Sequence, residues 1–479
     1  MEKRVTAESQ APSAAPPADP ATPNSALYLL FAKAGGGQLQ VGAALAGLLV
    51  VTALVFARSI GNEFVLDDHD QIVGNGQLGN WSFIWESLLR SSAWFIHPLP
   101  LLAATYYRPL QNIWFAMNFH LFGLYPAGWH AAMIALHLLV VWMVFRVAAL
   151  LCTDDWAALG AAGIFALMPI HAEAVAWPAA IAAPLSAVFE LGAFGFYLLS
   201  RVVPKKTVHL AISMGLFGGA LLSYDSAAAF PGLIAAYAFI FGLGTPGGGN
   251  SEERFGVRLR AGVRDVIIAV WPYAVEFVAY LVLRYCVLGF IATRPDPTNR
   301  VTALETLLTL PAAFVAYLIL VAAPWLAGPA HRLPIAYGLL TPQFMLPLAG
   351  IAALAYVGIK ALARHPHRRL YLFCAAWFLI TLSPMMNLPG LFNESLLHDR
   401  YLYLPSVGFC VMAADLAAAY ARRGEREKLA VWAVAGAVGI AYATMLFIAQ
   451  GYWHDDIAAL KRAIQAEPEE GTWRFRLGL

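Results

Sequence analysis

Glu63, Asp67, Asp68 and Asp70, with His69 among them, fall within eight consecutive residues. Neighbouring carboxylates repel, so one of them is pushed toward a higher pKa, which suits a general base or a metal ligand. The same acids also suit a solvated loop or the cap of a following helix. A second cluster lies in Met168-Pro-Ile-His-Ala-Glu-Ala-Val-Ala-Trp177. His171 and Glu173, two positions apart, do not share a helix face, but a chain bent at Pro169 can aim both into one cavity. Arg108 in Tyr106-Tyr-Arg-Pro-Leu110 and Arg400 in His398-Asp-Arg-Tyr401 carry planar forks suited to a phosphate. The competing role for Arg400 is a pair with Asp399 or Glu394. Tyr224-Asp225 adds a phenol and an acid between two apolar runs, while His130 and His137 read as buried packing residues.

The elements that hold these residues must be membrane spans. The chain has 479 residues, 60% of them apolar and 13% charged, with a mean hydropathy of +0.64, whereas soluble proteins carry about 25% charge. Apolar runs near 38–57, 127–150, 156–172, 184–200, 207–222, 227–243, 265–285, 304–325, 341–359, 370–386, 401–421 and 429–450 are candidate spans. Lys and Arg crowd into alternate connections: Arg201 with Lys205 and Lys206, Arg254 to Arg264, Lys360 to Arg369, and Arg422 to Lys428. Those connections and the N-terminus are assigned to the cytoplasm. The connections at 286–303 and 326–340 then both lie outside, so the run at 304–325, interrupted by Pro311, is expected to be re-entrant or to lie along the surface. The fold class is all-α and polytopic, with about eleven transmembrane helices and one such segment.

Residues 1–36, rich in Ala, Pro and Ser, read as a disordered cytoplasmic leader rather than a cleaved signal peptide. The span-bearing domain covers 37–450. Its outer loop 58–126 is rich in Trp and reads as interfacial helices. A short outer segment, 451–479, follows. The single cysteines Cys152, Cys286, Cys374 and Cys410 show no metal or disulfide spacing. A net charge of +2 without a basic cluster sets nucleic acid aside as a partner. The acids, histidine and arginines of five separate segments fall on the outer face, away from mid-span where a transporter couples its ions.

The order Phe64-Val-Leu-Asp-Asp68 with Asn75, Tyr107-Arg-Pro-Leu110, Pro169-Ile-His-Ala-Glu-Ala-Val-Ala-Trp177 and Asp399-Arg-Tyr-Leu-Tyr-Leu-Pro-Ser406 resembles the membrane part of the transmembrane and tetratricopeptide-repeat O-mannosyltransferases and their bacterial relatives. The resemblance covers about 40–479 and implies a GT-C glycosyltransferase fold. It implies transfer of a sugar from a polyprenyl-phosphate carrier to an acceptor, usually a protein hydroxyl, on the non-cytoplasmic side of, for a bacterial member, the inner membrane. It also implies that Asp67 and Asp68 are catalytic. The chemistry of the residues then gives Arg400, Arg108 and His171 to the donor phosphate, supported by Glu173, Asp225, Tyr224 and Asp399. No metal ligand set is assigned, and a divalent cation is the one cofactor left open. The expected partners are the lipid-linked sugar, membrane lipid, and a protein acceptor or a membrane-complex partner.

Two departures from the family pattern stand out. Trp177 is followed by Pro-Ala-Ala-Ile-Ala-Ala183 where relatives carry Gly-Arg and then an acid, and Tyr224-Asp225 replaces a Lys-Glu pair. Charges are therefore missing at Ile181, Ala183 and Tyr224, which keeps open a competing reading: a catalytically degenerate scaffold subunit of a larger membrane complex. Trp453, Leu460, Ala463, Pro468 and Leu477-Gly478 resemble the start of a tetratricopeptide repeat, and no array of stacked repeats is expected.

Overall fold

The structure, a computed structural model, describes residues 36–96, 106–152, 154–242, 251–291, 302–386, 397–469 and 471–478. The expected leader, apart from Gly36, and Glu394 lie outside the described residues. All twelve apolar runs appear as helices. In chain order the helices are α1 (Gly36–Phe56), α2 (Ser82–Ser87), α3 (Pro109–Phe122), α4 (Pro126–Leu151), α5 (Asp155–Leu167), α6 (Ala172–Ala176), α7 (Ala182–Val202) and α8 (Lys206–Leu221). They continue with α9 (Phe230–Gly242), α10 (Ser251–Leu288), α11 (Ala303–Ala322), α12 (Pro342–Leu362), α13 (Arg368–Leu382), α14 (Ser406–Ala421), α15 (Glu425–Gln450), α16 (Asp456–Ala466) and α17 (Gly471–Leu477).

Nine helices among the described residues are long and apolar enough to cross a membrane, or ten if α5 and α6 count as one bent span. The chain is an all-α polytopic membrane protein. The count departs from about eleven in two ways: α8 and α14, 16 residues each, fall short of the roughly 20 that a bilayer core asks for, while α11, expected to be re-entrant or to lie along the surface, is itself long and apolar enough to cross.

Proline positions decide the local breaks, at Pro169 as the sequence suggested but not at Pro311. Pro311 sits inside an unbroken α11, whose start is fixed by a capping box between Thr302 and Glu305. The expected interruption at Pro311 is therefore absent, because the apolar run continues on both sides of the proline and the helix absorbs the lost N–H. The bend occurs instead between α5 and the segment from Pro169 to Ala176, at 55°. There Pro169 follows an extended Met168, the conformation that a residue before proline favours. Pro178 repeats the break two residues after α6. The chain therefore crosses the end of the bundle between α5 and α7 instead of simply turning.

The main core brings α4, α5, α7, α13 and α14 together through residues such as Val140, Ala161, Phe194, Trp377 and Val411. Gly408 permits the tight α13–α14 approach, since a Cβ there would lie 2.4 Å from the Cys374 carbonyl oxygen. By contrast, α12 buries no residue. Trp81 and Trp85 in the 58–126 segment are exposed, the placement that an interfacial role asks of them. At the C-terminal end α16 and α17 pack as a pair through Leu460, Ala463 and Trp473 against Ala330.

Candidate functional site

Asp67 sits on a tightly held turn. The preceding Leu66 has φ 49°, in the left-handed region that a branched side chain avoids. Fixed contacts on both flanks maintain it. Asp68 is fully buried, and its Oδ2 accepts the Val65 N–H at 3.0 Å while its Oδ1 accepts the Ala179 N–H at 2.7 Å. Asp456, at the start of α16, accepts the Leu66 N–H at 2.8 Å and meets His69 Nε2 at 2.8 Å. Trp177 donates its indole N–H to the Val65 carbonyl and stacks on Trp453, with ring centroids 5.0 Å apart.

These contacts separate the two acids. Asp68 is a structural bridge between the 62–68 turn and the Pro178 turn, and burial pushes its pKa well up against the two N–H groups that hold it down. It is not a free base, which corrects the equal treatment of the pair. Among the described residues no group of three or more His, Cys, Asp or Glu is arranged for a metal. Asp67 makes no hydrogen bond or ion pair among the described residues and is exposed. Desolvation raises its pKa, opposed by Arg400 and Arg476. A reachable carboxylate with a raised pKa is the form of a general base.

Arg400 comes to the same end of the bundle in the turn before α14. Its backbone N–H donates to Glu173 Oε2 at 2.9 Å and its Nη1 to Glu173 Oε1, so it pairs with Glu173 and not with Asp399. The guanidinium lies 5.3 Å from the Trp177 ring and 5.1 Å from that of Tyr401. Burial opposes its charge, and Glu173 and Tyr401 outweigh that, so its pKa rises. Its Nε and Nη2 make no hydrogen bond among the described residues. Asp399 is engaged elsewhere, accepting the Gly328 N–H at 2.8 Å and meeting His331 Nε2 at 2.7 Å. His398, with Nδ1 3.5 Å from Glu173 Oε1, is lowered to about 4 by burial and by Arg400.

Arg108 forms a second cationic point. Its Nε and Nη2 both reach Asp225 Oδ2 at 2.9 Å, while Arg284 from α10 reaches the other oxygen of the same carboxylate. The Arg108 fork lies over Tyr106 and Tyr224, 4.1 and 4.7 Å from the ring centroids. Asp225 thus ties α3, α9 and α10 together at this end.

His171 does not join these groups. Its Nδ1 meets the Phe165 carbonyl at 2.8 Å and its Nε2 meets Ser406 Oγ at 3.1 Å, and the ring is fully buried among His137, Phe165 and Tyr403. Its assignment to a phosphate is corrected, because both ring nitrogens are occupied and no path leads a ligand to them. The bend at Pro169 sends His171 inward and Glu173 toward Arg400. Arg284, Asp456 and His331 were missed as site residues. Arg284 near the end of an apolar run carried a signal, since such an ionisable group demands a partner; Asp456 carried none beyond the start of a helix.

Arg400, Tyr224, Ala183, Glu190, Ser226 and Thr381 line part of a narrow cleft.

Over 387 residues the chain is 25% identical to protein O-mannosyl-transferase TMTC3 of Mus musculus, an alignment that takes in 77% of this chain and 41% of that protein. A shorter stretch of 134 residues is 31% identical to protein O-mannosyl-transferase Tmtc1 of Drosophila melanogaster, covering 28% of this chain and 16% of the fly protein. By sequence the chain is similar to the O-mannosyl-transferases. It spans less than half the length of either of these relatives, and no protein-family model matches it. Among solved structures, ArnT from Cupriavidus metallidurans, crystallised with undecaprenyl phosphate, aligns over 87% of this chain and 78% of its own at 17% identity, with a TM-score of 0.35. That superposition is loose and adds nothing to the O-mannosyl-transferase similarity.

Proposed function

We propose that the chain is a glycosyltransferase that moves a sugar from a polyprenyl-phosphate carrier to a hydroxyl acceptor, on a protein or a glycan, at the non-cytoplasmic face of a bacterial inner membrane. The reading rests on the sequence similarity to O-mannosyl-transferases, and the observation that carries it is a reachable Asp67 within the electrostatic influence of an Arg400 whose Nε and Nη2 make no hydrogen bond among the described residues. In this reading Asp67 takes the proton of the acceptor hydroxyl as its oxygen attacks the anomeric carbon. The bond from that carbon to the phosphate oxygen breaks from the opposite side, with inversion. The charge that develops on the departing phosphate meets the unused Nε–H and Nη2–H of Arg400. Asp225, with Arg108 and Arg284, supplies further positive charge near the place where Tyr224 replaces a family lysine.

The missing charges at Ile181, Ala183 and Tyr224 favour one alternative, the scaffold subunit. The test uses purified full-length protein in nanodiscs, with undecaprenyl phosphate binding and mannose transfer from its mannosyl derivative measured in wild type, Arg400→Ala and Ile181→Arg. Binding in wild type, lost in Arg400→Ala and strengthened in Ile181→Arg, is expected. No binding or transfer in wild type, together with a host complex unaffected by Arg400→Ala, would establish the scaffold.

A further inference from the structure

The cleft beside Arg400 has a polar floor that the mechanism above does not use. Ala183 and Glu190, both on α7, line it, so it runs about 10 Å down the helix from the Pro178 turn. Glu190 is 2% exposed, and its Oε1 accepts the Ser186 hydroxyl at 2.8 Å. Its Oε2 is buried with no hydrogen-bond partner among the described residues. A buried carboxyl oxygen left unpaired costs stability, and it persists where something absent from the protein chain pairs with it. Ser226 and Thr381 add hydroxyls to the walls, and Met385 and Leu404 make the rest apolar. Arg400 at one part of this cleft and Glu190 at another match a ligand that is anionic at one end and bears hydrogen-bond donors at the other.

We infer that Glu190 is a specificity-determining residue that accepts a hydroxyl of the sugar whose phosphate is held by Arg400. The inference rests on the glycosyltransferase reading and deepens it by assigning the sugar end of the donor to the α7 cleft. A carboxylate acceptor rewards a ligand with a hydroxyl at that depth and gives nothing to the same carrier without its sugar.

Dissociation constants for undecaprenyl phosphate and for undecaprenyl phosphoryl mannose, measured on the full chain in nanodiscs, test this. The readout is the ratio of the two, in wild type, Glu190→Gln and Glu190→Leu. Wild type is expected to prefer the sugar-bearing lipid by about tenfold, the scale of one hydrogen bond. The preference should shrink in Glu190→Gln, which keeps the shape of the side chain and guards against misfolding, and vanish in Glu190→Leu. A wild type that binds both lipids equally, or a preference untouched in both variants, overturns the Glu190 assignment while leaving the glycosyltransferase reading standing. A wild type that binds neither lipid removes both.

Discussion

Two adjacent aspartates with the same chemistry end in opposite roles because one of them faces backbone. Asp68 spends both oxygens on N–H groups from two turns, whereas Asp67 is exposed and makes no hydrogen bond among the described residues. Asp67→Asn is therefore expected to lower sugar transfer by about 10²–10⁴. The same substitution relieves a cost to stability. Because the folded-state pKa of Asp67 is raised above its ordinary 3.8, the folded state binds the proton more tightly than the unfolded chain. Stability is then highest below that ordinary value and falls as pH climbs through the raised one. Thermal melts of wild type and Asp67→Asn should differ little at pH 3 and diverge toward pH 8, with the variant the more stable. Equal melts at pH 8 with intact turnover would remove Asp67 from the role of base. Glu173 behaves differently. It is 1% exposed and compensates the Arg400 charge, so Glu173→Ala should cost about 3–5 kcal/mol, as breaking a buried pair does. A melting point in detergent unchanged from wild type would show that the pair is solvated.

The bent α5–α6 pair and the α16 start act as a frame for the Asp67 turn. Asp456 holds Leu66 in its left-handed conformation and engages His69 from the far end of the chain, so the C-terminal helix pair positions the turn. Asp456→Ala should release the Leu66 N–H, costing about 1–3 kcal/mol, and reduce kcat with little change in donor affinity, since Arg400 is held separately by Glu173. Asp456→Asn, which retains an acceptor for the Leu66 N–H, should recover most of the rate. Loss of donor binding in Asp456→Ala, with kcat unchanged, would place the α16 start at the phosphate instead. Asp225 performs a comparable task between α3, α9 and α10 by holding Arg108 and Arg284 together.

For the molecule as a whole, the residues with chemistry gather at one end of the helices, where the turns at 62–68, 106–108, 169–181, 224–225 and 397–405 meet. In the proposed orientation, read from the charge bias of the connections, that end faces outside. In a background with Cys152, Cys286, Cys374 and Cys410 replaced, cysteines introduced at the exposed Asp70 and Glu469 should react with an impermeant reagent applied from outside. One introduced at Glu425 should react only after permeabilisation. The opposite pattern would invert the protein and move the site to the cytoplasmic face. Labelling of Asp70 without Glu469 would contradict an outer 451–479 segment, and with it the Asp456 contact to the Asp67 turn.

Composition and apolar period were enough to read the membrane class and every one of the twelve helical runs, because a bilayer imposes a length and a polarity that each span must satisfy locally. The acids and arginines of the site were legible for a related reason, since ionisable groups at helix ends are costly enough to be sparse and conspicuous. Partner choice was not legible. Arg400 had acids beside it in sequence and took Glu173 from another turn; His171 had the residue type of a ligand and became a packing residue; Asp68 shared every sequence feature of Asp67 and became a bridge. Each outcome depends on which backbone N–H, carbonyl or carboxylate a turn brings within about 3 Å. That was decided by the bend at Pro169 and by the return of the chain at Asp456, far along the sequence from the groups they position.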